Sequence, residues 1–279
     1  MQIKHQSRCL SLDKPAVMGI LNVTPDSFSD GGQWNSLSKA LKHACSMIAA
    51  GASIIDIGGE STRPGADCVS VREELNRIIP VIEALRAQNS EILISVDTSQ
   101  PEVIREAVAA GADIWNDIRA LRMPGALEEA AKLQIPVILM HMQGTPKSMQ
   151  DSPRYQNILS EVLDFLKERA ALCLEHGIKK ENIILDPGFG FGKTVKDNFT
   201  LLNNLEAFVA TGYPILSALS RKSMIGAACN LPNPQDRAAG SVAGALISFM
   251  KGAQLVRVHD VRETFEALQV YLAMKASAI

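Results

Sequence analysis

The chain has almost no net charge: 28 Lys and Arg stand against 30 Asp and Glu in 279 residues, leaving −2. A balance this even gives no global electrostatic case for nucleic acid or an anionic membrane as partner. No apolar stretch is long enough to span a bilayer. The opening MQIKHQSRCLSLDKP has no apolar signal-peptide core, so the cytoplasm is the expected location. The five cysteines (Cys9, Cys45, Cys68, Cys173, Cys229) form no CxxC pair. That dispersion fits a reducing compartment, not a disulfide framework, and gives no zinc-site spacing. HExxH is missing as well. Low-complexity segments, short-period repeats and a Pro/Ser linker are also lacking, so one domain over residues 1–279 is expected. The 47% hydrophobic and 21% charged content place the chain with soluble globular proteins.

What is present is a recurring pattern. Eight short apolar runs each lead abruptly into a polar residue capable of chemistry. VMGIL leads to Asn22, SIIDIGG to Glu60 and Thr62, ILISV to Asp97, and ADIW to Asn116. PVILM leads to His141, IIL to Asp186, PILSAL to Lys222, and QLVRV to His259. Parallel strands buried on both faces read as such runs. Helical spacing fills the gaps between them: Ser36 to Ala50, Val71 to Ala87, a helix opened by Pro101, Pro124 to Leu133, and Ile158 to Leu174 ended by Gly177. Asp197 to Ala210, Ala238 to Lys251 and Arg262 to Lys275 complete the set. Eight strand–helix units in a chain near the ~250 residues typical of the fold predict a (β/α)₈ TIM barrel, whose strand C-termini converge on one site. A doubly wound sheet would gather the polar residues near its switch point instead.

Two connections on that side are long and rich in Gly, Pro, Ser and Asp: Thr24 to Asn35 after the first strand and Ser61 to Ser70 after the second. Their composition, with Phe28 and Trp34, suggests mobile covers for a site. DPGFGFGKT at Asp186 to Thr194 is not a phosphate loop, because Pro187 occupies the position where GxxxxGK[ST] needs glycine. Its glycines suit a backbone turning tightly beside a ligand. Asp97, Asn116 and Asp186 offer acceptors and an amide to a flat heterocycle with several N–H donors, such as a purine or pterin. Capping of the helix at Pro101 is the other reading of Asp97. Arg63, Lys222, Arg257 and His259 converge as cations for a phosphate or carboxylate. An Arg257–Asp260 salt bridge is the bland alternative, and His141 reads as structural. Asn22 could lend its amide oxygen to Mg²⁺ recruited with a diphosphate.

The ordered set GILNVTPDSFSDGG, GGESTRPGA, SVDT, NDI, LMHMQG, DPGFGFGK, SRKS and RVHDV, from Val17 to Val261, resembles the dihydropteroate synthase family of folate biosynthesis. The resemblance implies a (β/α)₈ barrel, usually dimeric. It also implies joining of 6-hydroxymethyl-7,8-dihydropterin diphosphate to p-aminobenzoate, giving 7,8-dihydropteroate and diphosphate, with sulfonamides as competitors. It places the pterin on Asp97, Asn116, Asp186 and Lys222. Diphosphate and Mg²⁺ fall to Asn22, Thr62, Arg63, Arg257 and His259, with Asn22 as the metal ligand. The p-aminobenzoate site is Phe28, Thr62, Arg63, Pro64, Phe191, Lys222 and Ser223. Asp97, Lys222, Arg257 and His259 carry the catalytic expectation. One departure is Ala218, where the family commonly has glycine. The runner-up is a folate-dependent methyltransferase of the same superfamily. A non-catalytic pterin- or phosphate-binding barrel and a sugar-phosphate isomerase remain the readings from other classes.

Overall fold

Side chains alternate sides along a strand, and in the computed structural model this alternation sorts the apolar residues into two clusters. The structure describes residues 1–23, 32–60, 69–145, 149 and 152–277, with 32–36 described in backbone only. A hairpin of β1 (Gln2–His5) and β2 (Arg8–Ser11) precedes eight further strands. These are β3 (Ala16–Asn22), β4 (Ile54–Gly58), β5 (Leu93–Asp97), β6 (Ile114–Asp117), β7 (Val137–Met140), β8 (Ile183–Asp186), β9 (Leu216–Ser217) and β10 (Leu255–Val258). They run parallel in the order β8-β7-β6-β5-β4-β3-β10-β9. A parallel bridge between Leu185 and Ile215 brings β8 beside β9 and rounds the sheet into the expected (β/α)₈ barrel.

The outward residues of these strands, among them Val17, Ile55, Ile57, Val96, Trp115 and Leu139, pack against the surrounding helices. The inward residues at the strand beginnings, including Met18, Ile54, Leu93, Ile114, Ile138, Ile184, Leu216 and Leu255, form a separate plug. Ile3 of the hairpin caps that plug. Asp113 ties the cap down: its Oδ1 accepts from Arg8 Nε at 2.6 Å and pairs with His5 Nδ1 at 3.1 Å. Its Oδ2 accepts from Arg86 Nη2 at 2.6 Å and Ile94 N at 2.9 Å. The apolar floor therefore seals the N-terminal end, leaving only the C-terminal mouth for polar work.

The described residues include ten α-helices: α1 (Gly32–Ala49), α2 (Val71–Gln88), α3 (Pro101–Ala109), α4 (Ala126–Leu133), α5 (Ile158–Glu175), α6 (Val195–Asn203), α7 (Leu205–Val209), α8 (Ser223–Cys229), α9 (Ala238–Met250) and α10 (Val261–Ala276). Local chemistry sets their ends. Ser70 caps α2 by accepting from Glu73 N, Asn157 caps α5 through Ser160 N, and Thr194 with Asp197 forms a capping box on α6. Gly177, at φ +83°, follows α5.

Three differences from the sequence reading emerge. α1 begins at Gly32, so the first long connection ends before Asn35. Residues 197–210 do not form one helix: Asn204 sits at φ −110°, ψ 26°, and its side-chain amide donates to Thr200 O at 2.8 Å, dividing α6 from α7. The N-terminal hairpin was not anticipated, because two four-residue strands carry too little alternation to stand out. The remainder of both long connections, residues 24–31 and 61–68, lies outside the described residues, and the reading of them as covers lies there too.

Candidate active site

Parallel pairing sets the strand ends side by side. Asn22, Gly58, Asp97 and Asn116 form one row across β3, β4, β5 and β6. Gly58 leaves room in that row: a Cβ there would come within 3.6 Å of Asp97 Cβ and 3.7 Å of Asn22 Oδ1. The capping reading of Asp97 fails, since the N-cap position of α3 is Gln100, which makes no side-chain capping bond, and Asp97 lies within β5.

Arg257, inward on β10, reaches across this row. Its Nε donates to Asp56 Oδ2 at 2.6 Å and its Nη2 to Asp97 Oδ2 at 2.8 Å. Asn116 Nδ2 donates to the same Asp56 oxygen at 3.2 Å. The bland reading of Arg257 as a partner of Asp260 is thereby replaced; Asp260 instead pairs with Arg221. Among the described residues, Asp56 Oδ1 and Asp97 Oδ1 are both buried with no hydrogen-bond partner. Such orphaned acceptors are costly in an apolar interior, and here they share the mouth of the barrel with a guanidinium. Burial pushes Asp97 up to about 7, against the pull of Arg257 and with help from the Asp56 charge. Burial also works against the Arg257 charge, but Asp56 and Asp97 hold its proton more tightly than usual.

Asp56 was missed by the sequence reading. It lies inside the run SIIDIGG, and its one signal was a carboxylate two residues before Gly58, on the inward face of an otherwise apolar strand.

Asp186 ends β8, is buried, and its Oδ1 accepts from Gly188 N at 2.7 Å. Burial raises its affinity for a proton, with Lys222 opposing. The loop that follows is held in one shape. Gly188, Gly190 and Gly192 have φ of +70°, +81° and +63°, and a Cβ at Gly188 would meet His141 O at 1.9 Å. Only glycine fits there. Lys193, buried, donates to Gly188 O at 2.8 Å and Phe191 O at 3.0 Å. Its ammonium also meets His141 Nδ1 at 2.9 Å. His141 is therefore structural, as anticipated; burial, aided by the Lys193 charge, drives its proton affinity down to about 2. Lys193 had no role in the sequence reading beyond a failed phosphate-loop match. On the opposite side of the loop, Lys222 donates to Phe189 O and sits 4.6 Å from the Phe191 ring centre. Burial lowers Lys222 to about 8, with Asp186 resisting.

His259 follows β10 and meets Ser220 across the gap from β9. Ser223 opens α8 and is exposed, and Ala218 is buried just past β9. Thus Asp97 and Arg257 are joined directly, Asn116 joins them through Asp56, Asp186 is turned toward the glycine loop, and Lys222 braces that loop. Phe28, Thr62, Arg63 and Pro64 lie outside the described residues. For Mg²⁺ the donor chemistry fits only in part. No group of three or more His, Cys, Asp or Glu among the described residues forms a metal cage. The hard amide oxygen of Asn22 at the mouth suits an ion that keeps its waters and arrives on a phosphate.

Residues 18–259 match the model of a family described as pterin binding enzyme. The chain is 57% identical over 270 residues to a dihydropteroate synthase of Escherichia coli, covering 97% of this chain and 95% of that one. Among solved structures, it resembles a Xanthomonas albilineans dihydropteroate synthase with 4-aminobenzoic acid, at 49% identity and TM-score 0.94, covering 99% of both chains. A Yersinia pestis dihydropteroate synthase in a sulfonamide drug complex is 52% identical with TM-score 0.93, covering 99% of this chain and 100% of that one.

Proposed function

Because this chain belongs to the dihydropteroate synthase family of pterin-binding enzymes, we infer from its site how it joins 6-hydroxymethyl-7,8-dihydropterin diphosphate to p-aminobenzoate. The products are 7,8-dihydropteroate and diphosphate, and sulfonamides compete for the site. The observation that carries the reading is the fork of half-buried Arg257 between the buried carboxylates of Asp56 and Asp97, each keeping one oxygen without a partner among the described residues.

We propose that Asp97, Asn116 and Asp186 take the N–H edge of the pterin, with Lys222 at the rim. In the reaction the C–O bond to diphosphate breaks first. The electron pair leaves with the diphosphate, and a cation conjugated with the pterin ring remains. The Asp97 carboxylate lies in a low-dielectric site, where a fixed charge stabilises such a cation strongly. Arg257 and His259 bind the leaving group. The neutral amine of p-aminobenzoate then forms the C–N bond, and the proton it loses passes to the departing diphosphate. Phe191, Lys222 and Ser223 would hold its carboxylate end, with Phe28, Thr62, Arg63 and Pro64 completing the site. Thr62 and Arg63 would also meet the diphosphate. Asn22 would hold Mg²⁺, which when bound neutralises diphosphate charge. No covalent enzyme intermediate is needed, and exclusion of water limits hydrolysis of the cation.

We also propose a cytoplasmic homodimer. Cys9, Cys45, Cys173 and Cys229 are free thiols, and no helix among the described residues is long and apolar enough to cross a membrane. Exposed Ile247 and Met250 on α9 and Val270 and Met274 on α10, two helices packed side by side, offer apolar surface for a second copy. Sedimentation at micromolar protein tests this: a monomer overturns it.

Pyrophosphate release tests the reaction. It should require p-aminobenzoate and be suppressed competitively by a sulfonamide. Release independent of p-aminobenzoate would overturn the assignment.

A further inference from the structure

Ser220 stands just past β9, is 6% exposed, and touches one neighbour twice. Its Oγ accepts from the backbone N–H of His259 at 3.2 Å and lies 3.0 Å from His259 Nδ1. A hydroxyl has one proton and two acceptor positions. The backbone N–H takes one acceptor position, so the hydroxyl proton is available to Nδ1 of a neutral imidazole. That ring must then carry its own proton on Nε2. If the ring becomes an imidazolium, Nδ1–H turns to donor and Oγ offers its second acceptor position. The contact survives both states with donor and acceptor exchanged. A carboxylate at this place would favour a proton fixed on Nδ1.

Ser220 is itself held firmly. Arg221, next in the chain, adopts φ +58°, a left-handed conformation that is unfavourable for a residue with a side chain. Several bonds fix it there. Its N–H donates to Ser241 Oγ at 2.8 Å, and its carbonyl accepts from Arg237 Nη1 at 2.9 Å. Its Nε donates to Asp260 Oδ2 at 3.0 Å, with a second bond from Nη2 to the same carboxylate. Asp260 is the residue after His259. Two adjacent rungs, Ser220 to His259 and Arg221 to Asp260, therefore lock the turn after β9 to the turn after β10. The His259 ring is oriented by structure that exists before any ligand arrives.

We infer that Ser220 is a positioning residue, holding His259 by Nδ1 so that Nε2–H is presented to the departing diphosphate. The inference rests on the proposed role of His259 at that group. Outer partners of this kind fix both tautomer and ring orientation.

The test combines variants with ring-nitrogen NMR. In the unsubstituted enzyme, at a pH where His259 is neutral, its signals should show Nε2 protonated and Nδ1 bare; protonated Nδ1 overturns the inference without any variant. In Ser220→Ala, the inhibition constant of pyrophosphate and the KM for the pterin diphosphate should each rise about tenfold, while the KM for p-aminobenzoate stays unchanged. In a His259→Ala background the same substitution should add nothing. An equal effect of Ser220→Ala with and without His259 would mean a merely structural role and overturn the inference. If His259→Ala weakens pyrophosphate and Ser220→Ala does not, the inference alone falls. If His259→Ala leaves pyrophosphate inhibition unaltered, the diphosphate reading falls and takes the inference with it.

Discussion

Asp56→Asn probes the least visible member of the site. The substitution keeps shape and removes one charge from a carboxylate that is fully buried and bonded to Arg257 Nε at 2.6 Å. Arg257 keeps its second partner, Asp97, so the guanidinium is not stranded. The loss is therefore that of one charge-assisted bond reduced to a neutral one, about 2 kcal/mol, well below the roughly 3–5 kcal/mol of a fully broken buried pair. At about 2–4 °C per kcal/mol for chains somewhat shorter than this, Tm should fall by about 4–8 °C. Arg257 and Asn116 lose a shared anchor, and if the same energy is lost in the transition state, kcat/KM drops about 30-fold. A further consequence separates charge from packing. The Asp56 charge helps hold Asp97 up near 7. Removing it must lower the Asp97 pKa, so Asp97 stays ionised at lower pH and the acid limb of kcat/KM moves down in pH. Steady-state kinetics across pH, with calorimetry on the same protein, measure all three. A folded variant whose acid limb stays in place or moves up would refute the electrostatic account of the fork.

Other outcomes follow from the same geometry. Asp97→Ala should nearly abolish pyrophosphate release while circular dichroism stays native; retained turnover would remove Asp97 from the chemistry. With free-enzyme Asp97 near 7 and Lys222 near 8, kcat/KM should be bell-shaped. It should fall below about 7 as Asp97 gains a proton and above about 8 as Lys222 loses one, and Lys222→Arg should erase the alkaline limb. Gly188→Ala should destabilise the fold by about 3 kcal/mol or more, because φ is +70° and its Cβ would meet a carbonyl. Gly125→Ala, at φ +78° with nothing within 4 Å, should cost only about 1 kcal/mol; equal melting temperatures for the two would refute the packing argument.

The polar residues at strand ends were readable because a buried strand cannot tolerate them, so each marks where burial stops or use begins. Asp97, Asn116 and Asp186 stand at or beside strand ends as that logic expected. The same logic failed for Asp56, where isoleucines on both sides concealed the charge within the strand. Helix ends carrying strong local chemistry, such as Ser70, Asn157 and Gly177, fell near their expected places. The break at Asn204 did not, since an asparagine within a helical pattern gives no firm stop.

By itself the sequence determined the eight strand–helix units and the polar residues at their strand ends, because periodicity and burial are properties of short segments. Only the tertiary structure decided who meets whom. Asp56 and Arg257 are 201 residues apart, and they touch because β3 brings β4 and β10 to its two edges as the sheet closes. Ser220 and His259, and Lys193 and His141, are likewise joined by neighbouring strands and not by any local pattern. A strand end announces that a residue faces the mouth; the register of the closed barrel determines which charge it shares the mouth with, and so what chemistry it can do.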